Sequence, residues 1–322
     1  MKAIRVAAHG GPEALALVEV DTPRPGPGEI LVRHHAIGVN FIDTYHRSGL
    51  YPQPLPSGLG LEAAGVVEAA GEGARFAVGD RVAYASGPIG AYAEAHVVKA
   101  ERAVRMPDGV AFETAAASLL RGMTAEYCLK RCAPAQAGQT VLIHAAAGGL
   151  GLILVQWAKA LGVRTIGTVG SQAKADLARA HGCDEVLMSD DANLVAKVRD
   201  LTGGAGVPIV YDGVGAATFE ASLACLARRG MLVAIGNASG PIPPFSPLRL
   251  SQGGSLYLTR PTLGDYTHTT EELDATAAAY FAVIESGAVK VEIGGRWPLA
   301  QAAEAHRALE GRQTTGGLVL TP

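Results

Sequence analysis

"HAAAGGLG", residues 144–151, decides the fold of this 322-residue chain. The apolar run "QTVLIHAA" leads into it and "GGLGLILVQWAKALG" leaves it, so a strand, a tight turn and a helix succeed one another. The common dinucleotide fingerprint is G-x-G-x-x-G. In that register Ala146 takes the first glycine place, Gly148 the second and Gly151 the third. Gly148 lets a backbone approach a pyrophosphate, and Gly151 lets the helix pack closely on the strand. The helix N-terminus offers unpaired N–H groups and a partial positive charge to phosphates. Taken alone, the run reads rather as a packing turn. Its setting favours a cofactor loop.

Outward from the turn, strands and helices alternate. "VRTIGTVG", "DEVLMS", "GVPIVYDGVG", "MLVAIGN" and "GSLYLTR" read as strands. "SQAKADLARAHG", "DANLVAKVRDLTG" and "AATFEASLACLARRG" read as helices between them. Several strands are apolar at nearly every position, which predicts a parallel sheet covered on both faces. Before residue 110 the texture differs. "KAIRVAA", "EILVRHHAIGV", "GVVEAAG", "DRVAYA" and "AYAEAHVV" are short strands separated by turn signals such as "PRPGPGE", which predicts an antiparallel, barrel-like domain. "FETAAASLLRGMTAEYCLKRC" has helical periodicity. The tail, with two helices and the strand "GGLVLTP", is expected to rejoin the barrel. The fold class is therefore α/β, a doubly wound parallel sheet plus a β-barrel domain.

Composition narrows the function. The formal charge is −3, from 27 basic and 30 acidic residues, so there is no broad positive field and nucleic acid is not expected as a partner. The four cysteines form no C-x-x-C pair and no disulfide framework, which fits a reducing compartment. "GLGLILVQWAKALG" is too short to span a bilayer, and the N-terminus carries no signal-peptide stretch. A cytoplasmic protein without membrane partners is expected.

The strand after the glycine turn ends "TVGSQAK". An NAD site usually has an acid there, about 20 residues beyond the glycines. Gly170, Ser171, Gln172 and Ala173 carry no negative charge and Lys174 is basic. Ser171 and Lys174 suit a 2′-phosphate, so NADPH is the expected cofactor. A solvated first-turn lysine is the plainer role for Lys174.

Four stretches, "AIGVNFIDTYHRSGLY", "LPSGLGLEAAGVV", "HAAAGGLGLILVQWAKALG" and "GSLYLTRPTL", resemble the zeta-crystallin-type NADPH:quinone oxidoreductases of the medium-chain dehydrogenase/reductase superfamily over essentially the whole chain. In that family A-A-G-G-x-G replaces the ordinary fingerprint. The resemblance implies a GroES-like catalytic domain over residues 1–121, a Rossmann NADPH-binding domain over 122–264 and a segment 265–322 returning to the first, with the active site in the cleft between the domains. It also implies a homodimer formed through the sheet edge near "GSLYLTR". The zinc enzymes of the superfamily have a cysteine where Asn40 stands and a histidine where Leu61 stands, besides a structural zinc loop. Neither set is present; Glu62 alone makes no site, and Cys128 and Cys132 read as half-buried helix residues. No metal is expected.

The resemblance assigns Asn40, Asp43, Tyr45 and Tyr51 to the catalytic side, with the phenols able to hydrogen-bond a quinone oxygen. It assigns Asn40, Phe41, Ile42, Asp43, Thr44, Tyr127, Gly148, Gly149, Leu150, Gly151, Gly170, Ser171, Lys174, Ser189, Asn237, Ser239 and Arg260 to cofactor contacts. Ser189 stands where relatives often have a tyrosine beside the adenosine. Plainer roles exist: Asn40 as cap of a helix beginning at Phe41, Tyr45 and Tyr51 as rim residues, Arg260 as partner of an acid at a subunit interface. The histidines show no ligand spacing. The chemistry implied is hydride transfer from nicotinamide C4 to a quinone without a strong general acid. The alternatives are reduction of an enal or enone double bond, and a non-catalytic, crystallin-like NADPH-binding protein.

Overall fold

Alternating runs at both ends of the chain and continuous apolar runs in its middle build two main sheets, besides a two-stranded hairpin. The computed structural model describes residues 1–322. One unit holds Met1–Met123, Thr267–Glu285 and Val291–Pro322; the other holds Thr124–Tyr266 and Ser286–Lys290.

The first unit contains β1 (Lys2–Val6), β2 (Leu15–Glu19), β3 (Glu29–Val39), β4 (Ala63–Ala70), β5 (Arg81–Tyr84), β6 (Ala95–Lys99) and β7 (Ala103–Arg105), with β14 (Ile293–Pro298) and β15 (Gly317–Thr321) from the tail. β1 and β2 form an antiparallel hairpin. The main sheet runs β14–β15–β3–β4–β5–β7, with β6 also on β3. β3 is the hub because, at 11 residues, it pairs antiparallel with β4, β6 and β15. Its apolar positions Ile30, Val32, Ile37 and Val39 join Ile4, Val67, Val82, Leu318 and Leu320 in one core. Fully burying each such side chain contributes roughly 1.5–3 kcal/mol. After β3 the helix Phe41–Ser48 begins at Asn40 and is stopped by Gly49 in the left-handed conformation (φ 83°).

The second unit contains β8 (Thr140–Ile143), β9 (Arg164–Val169), β10 (Glu185–Met188), β11 (Val207–Asp212), β12 (Leu226–Ala234) and β13 (Tyr257–Thr259). All pair in parallel in the order β10–β9–β8–β11–β12–β13. Helices Gly149–Ala160, Gln172–Ala180, Leu194–Leu201 and Phe219–Cys225 provide the crossovers. The order reverses between β8 and β11, the position where open α/β sheets form a crevice beyond their strand ends. Both expected architectures are thus present.

Two element boundaries depart from expectation. The run "AATFEASLACLARRG" stops being helical at Cys225, and Leu226 begins β12. Leu226 is buried and pairs with Val207, so tertiary burial overrides the helical propensity of the "LARR" segment. The long helix expected from Phe112 is divided into Phe112–Ala116, Leu119–Tyr127 and a π-helical turn at Cys128–Cys132. At that turn the buried Tyr211 hydroxyl donates to the Ala133 carbonyl at 2.7 Å, with the Cys128 carbonyl at 3.3 Å. No helix is long and apolar enough to cross a membrane.

Candidate functional site

In the parallel-sheet unit the backbone makes the site. β8 ends at His144, whose amide bonds the Tyr211 carbonyl of β11 at 3.0 Å. Ala145 then adopts a positive φ of 53° and accepts from the Gly148 amide at 2.8 Å, closing the turn. Gly148 is the N-cap of the helix Gly149–Ala160, and no side chain caps it. The first N–H groups of that helix therefore have no side-chain acceptor of their own, and Gly149 and Leu150 are half-buried there. Gly151 faces the turn. A Cβ on it would lie 2.2 Å from the Ala145 carbonyl oxygen, whereas one on Gly148 would meet only that oxygen at 3.1 Å. One glycine permits packing; the other leaves an open approach.

The neighbouring strand ends meet the same edge. Ser171 caps the helix Gln172–Ala180, accepting from the Lys174 amide at 3.3 Å, and no acid follows in that first turn. Gly170 is exposed; a Cβ there would find only the Ser189 hydroxyl, at 3.9 Å. The Ser189 amide bonds the Val169 carbonyl at 2.8 Å, which sets Ser189 beside Gly170. Beyond β12, Ser239 donates to the Val214 carbonyl (2.8 Å) and accepts from the Ala217 amide (2.9 Å), tying the loops after β11 and β12. Asn237 is half-buried in that loop. Arg260, after β13, donates to the Ile235 carbonyl. Tyr127 is 2% exposed and stacks on Tyr266 at 4.4 Å between ring centroids. The turn, Gly170 to Lys174, Ser189, Asn237, Ser239 and Arg260 all follow carboxyl ends of strands in one sheet, as a dinucleotide requires. The open helix end and the absence of an acid after β9 suit a phosphorylated ribose as well as a pyrophosphate.

A buried network braces this edge. His144 Nδ1 lies 2.9 Å from Thr168 Oγ1 and its Nε2 lies 3.0 Å from Ser222 Oγ. Ser222 donates to Asp212 at 2.7 Å, and Asp212 also accepts from the Val214 and Gly215 amides. Burial pushes His144 below its usual pKa. His144 thereby locks the ends of β8, β9 and β11 together.

In the barrel unit, side chains make the site. The Asn40 amide donates to Asp43 Oδ2 at 2.7 Å, as in a capping box. The Asn40 side-chain Nδ2 donates to Glu62 Oε2 at 2.7 Å, and Glu62 Oε1 accepts from the Leu120 amide at 2.6 Å. Asp43 and Glu62 are fully buried. Burial pushes both carboxyls up to about 7, against the Arg121 guanidinium that favours their ionised forms. Thr44 turns its hydroxyl to the Phe41 carbonyl at 2.7 Å, while Phe41 and Ile42 stay half-buried. Tyr45 and Tyr51 pack edge to face at 5.2 Å, joined by the Tyr51 amide to the Tyr45 carbonyl at 3.0 Å. The four residues expected on the catalytic side are therefore grouped about one short helix. Tyr92, Arg121 and His306, which touch or face this group, gave no signal in the sequence. Glu62 did: a carboxylate inside "GLEAAGVV" is anomalous in a buried run. No cluster of three or more His, Cys, Asp or Glu side chains has the spacing to hold a metal ion.

Comparison with known proteins adds the family. Residues 26–108 match the alcohol dehydrogenase GroES-like domain, and residues 149–278 match the family described as zinc-binding dehydrogenase. A quinone oxidoreductase of Pseudomonas aeruginosa is 55% identical over 100% of this chain and 99% of its own. A 2-haloacrylate reductase of a Burkholderia species is 42% identical, over 97% and 96%. The crystal structure of Escherichia coli quinone oxidoreductase complexed with NADPH superposes with a TM-score of 0.98 at 46% identity, covering both chains completely.

Proposed function

Because the chain belongs to the quinone oxidoreductases of the medium-chain dehydrogenase/reductase superfamily, we propose that it is an NADPH-dependent quinone reductase working without zinc. Bound NADPH supplies a hydride from nicotinamide C4 to the quinone, which takes up a proton to give the quinol. The observation that carries the reading is the uncapped helix end beyond a turn in which Gly151 permits contact and Gly148 leaves access.

The chain's own contribution is binding and orientation. The N–H groups at Gly149 and Leu150 hold the pyrophosphate. Ser171 and Lys174 hold the 2′-phosphate, with Gly170 and Ser189 leaving room for the adenosine. Asn237, Ser239 and Arg260 complete the cofactor contacts. Asn40 to Thr44 serve the nicotinamide, and the Tyr45 and Tyr51 hydroxyls donate to the quinone oxygen on which negative charge grows. The protein works in the cytoplasm as a homodimer joined along β13, the last strand of its sheet, where Tyr257 is 57% exposed.

The test is NADPH oxidation against a panel of 1,4-naphthoquinones and small enals, with NADH as control. Quinone turnover dependent on NADPH is expected. Replacing both Tyr45 and Tyr51 with Phe should lower kcat by roughly tenfold, the weight of one hydrogen bond to a developing charge. Unchanged turnover would remove the phenols from the chemistry. The haloacrylate-reducing relative supports a second reading, reduction of an activated carbon–carbon double bond; a panel in which enals outpace every quinone would select it.

A further inference from the structure

We propose that Tyr92 and His306 are positioning residues: anchored by Arg47 and Glu310, they hold the Asp43 carboxylate ionised, and Asp43 in turn fixes the main chain at Asn40. The inference rests on the reading above in placing Asn40 at the nicotinamide end of the site.

The geometry is a chain of hydrogen bonds with one possible polarity. Glu310, a third exposed, accepts two bonds from the Arg47 guanidinium, at 2.6 and 3.1 Å. Arg47 is 2% exposed and its Nη1 lies 2.8 Å from His306 Nδ1. A guanidinium only donates, so Nδ1 accepts and the imidazole proton sits on Nε2. Nε2 lies 3.0 Å from the Tyr92 hydroxyl and so donates to it. Tyr92 must then turn its own proton to Asp43 Oδ2, 3.0 Å away. Oδ2 also accepts from the Asn40 amide, while Oδ1 is buried with no partner.

From Arg47 to Asp43, every bond in this chain points its donor inward. An arginine at the outer end cannot give up its proton, so the chain does not deliver protons. It carries the pull of a fixed cation, step by polarised step, to a fully buried carboxyl. His306, buried and beside Arg47, is held far below its usual pKa, which keeps it the neutral relay this polarity needs. Burial opposes the chain by favouring protonated Asp43. The titratable and charged groups facing Asp43 are Tyr92, Arg121 and Glu62, with His306 and Arg47 behind Tyr92. A protonated Asp43 loses strength as acceptor for the Asn40 amide and loosens the start of the helix Phe41–Ser48.

The molecule reserves space for this chain. Gly60 has φ +89°, and a Cβ on it would lie 2.3 Å from the Tyr92 ring. A Cβ on Gly38 would lie 2.5 Å from Glu62 Oε2, the atom that holds the Asn40 side chain.

The experiment compares the pH profile of kcat, with NADPH and 1,4-naphthoquinone, for the wild type, Tyr92→Phe, His306→Leu and His306→Gln. Glutamine can accept from Arg47 and donate to Tyr92; leucine fills space and does neither. Tyr92→Phe and His306→Leu should move the acid limb up by about one pH unit, a tenfold change in the ionisation of Asp43. His306→Gln should restore the wild-type limb. KM for the quinone should change less than kcat. Wild-type limbs in Tyr92→Phe and His306→Leu, or a loss of rate in equal proportion at every pH, would overturn the proposal. If His306→Leu does not fold, Tyr92→Phe and the glutamine variant decide it. A second readout is the infrared carbonyl band of protonated Asp43, identified by its loss in Asp43→Asn. It should persist to higher pH in Tyr92→Phe, and a band titrating as in the wild type sinks the chain. A wild type that reduces no quinone would defeat the functional reading alone, because the infrared titration still decides the chain.

Discussion

The two units solve opposite problems with the same backbone. At the carboxyl edge of the parallel sheet, no side chain caps the N–H groups at Gly149 and Leu150, and the titratable His144 and Asp212 are buried behind the strand ends as a brace. In the barrel unit, Asp43, Glu62, Tyr92, Arg47 and His306 are each at most 2% exposed and lean on one another. The first region presents main-chain groups that do not themselves titrate. The second depends on protonation, because each of its charges was taken out of water and must be answered by a specific hydrogen-bond partner. A main-chain cradle tolerates changes of acidity; a side-chain chain tolerates small changes of shape only where a glycine has been set aside for it.

The sharpest way to break that contrast is pH. Asp43 and Glu62 are raised by burial to about 7, above their ordinary 3.8 and 4.5. Their contribution to stability is fully present below the ordinary values and is lost as pH rises through about 7. His34 and His306 are lowered by burial to about 3, below 6.5. Theirs is present above 6.5 and lost as pH falls towards 3. Between about 4.5 and 6.5 the two sets oppose each other. Asp43→Asn combined with Glu62→Gln should therefore unmask the histidines. Acidification should then cost more stability than in the wild type, by up to ~1.4 kcal/mol per pH unit for each carboxyl removed. Denaturant melts across that range check it; parallel curves would mean that burial does not raise the two carboxyls above their unfolded values.

A smaller effect separates the two glycines of the turn. Gly151→Ala should cost about 1–3 kcal/mol through overpacking against Ala145. Gly148→Ala should leave the melting temperature near that of the wild type yet weaken NADPH binding, read by quenching of nucleotide fluorescence. Equal losses of stability would show that both glycines serve packing. Smallest is Lys174→Ala, which should raise KM for NADPH by roughly tenfold, the weight of one charge-assisted hydrogen bond, and leave NADH unaffected. A matching rise for both nucleotides would place the lysine elsewhere than the 2′-phosphate.

The same contrast decides what could be read from the sequence. The glycine turn is a local device, and its strand, turn and helix lie in one unbroken stretch. The register of Ala146, Gly148 and Gly151, and the helix start at Phe41 after Asn40, were legible for that reason. The buried chain is assembled from afar: Tyr92 lies 49 positions from Asp43, and His306 lies 214 from Tyr92 and 259 from Arg47. No spacing rule joins them. Long-range burial also explains the misread elements. Leu226 looks helical until Val207 is beside it.

Gly38 and Gly60 have a practical consequence for anyone trying to make the protein more heat-resistant. Exchanging glycine for alanine is a standard route, because it removes freedom from the unfolded chain. At these two positions the volume a methyl group would take is already occupied, by the Ala116 carbonyl oxygen and the Glu62 carboxylate at Gly38 and by a phenol ring at Gly60. Substitution there would evict those groups, so a design campaign should leave both untouched and direct its changes to solvent-facing loops.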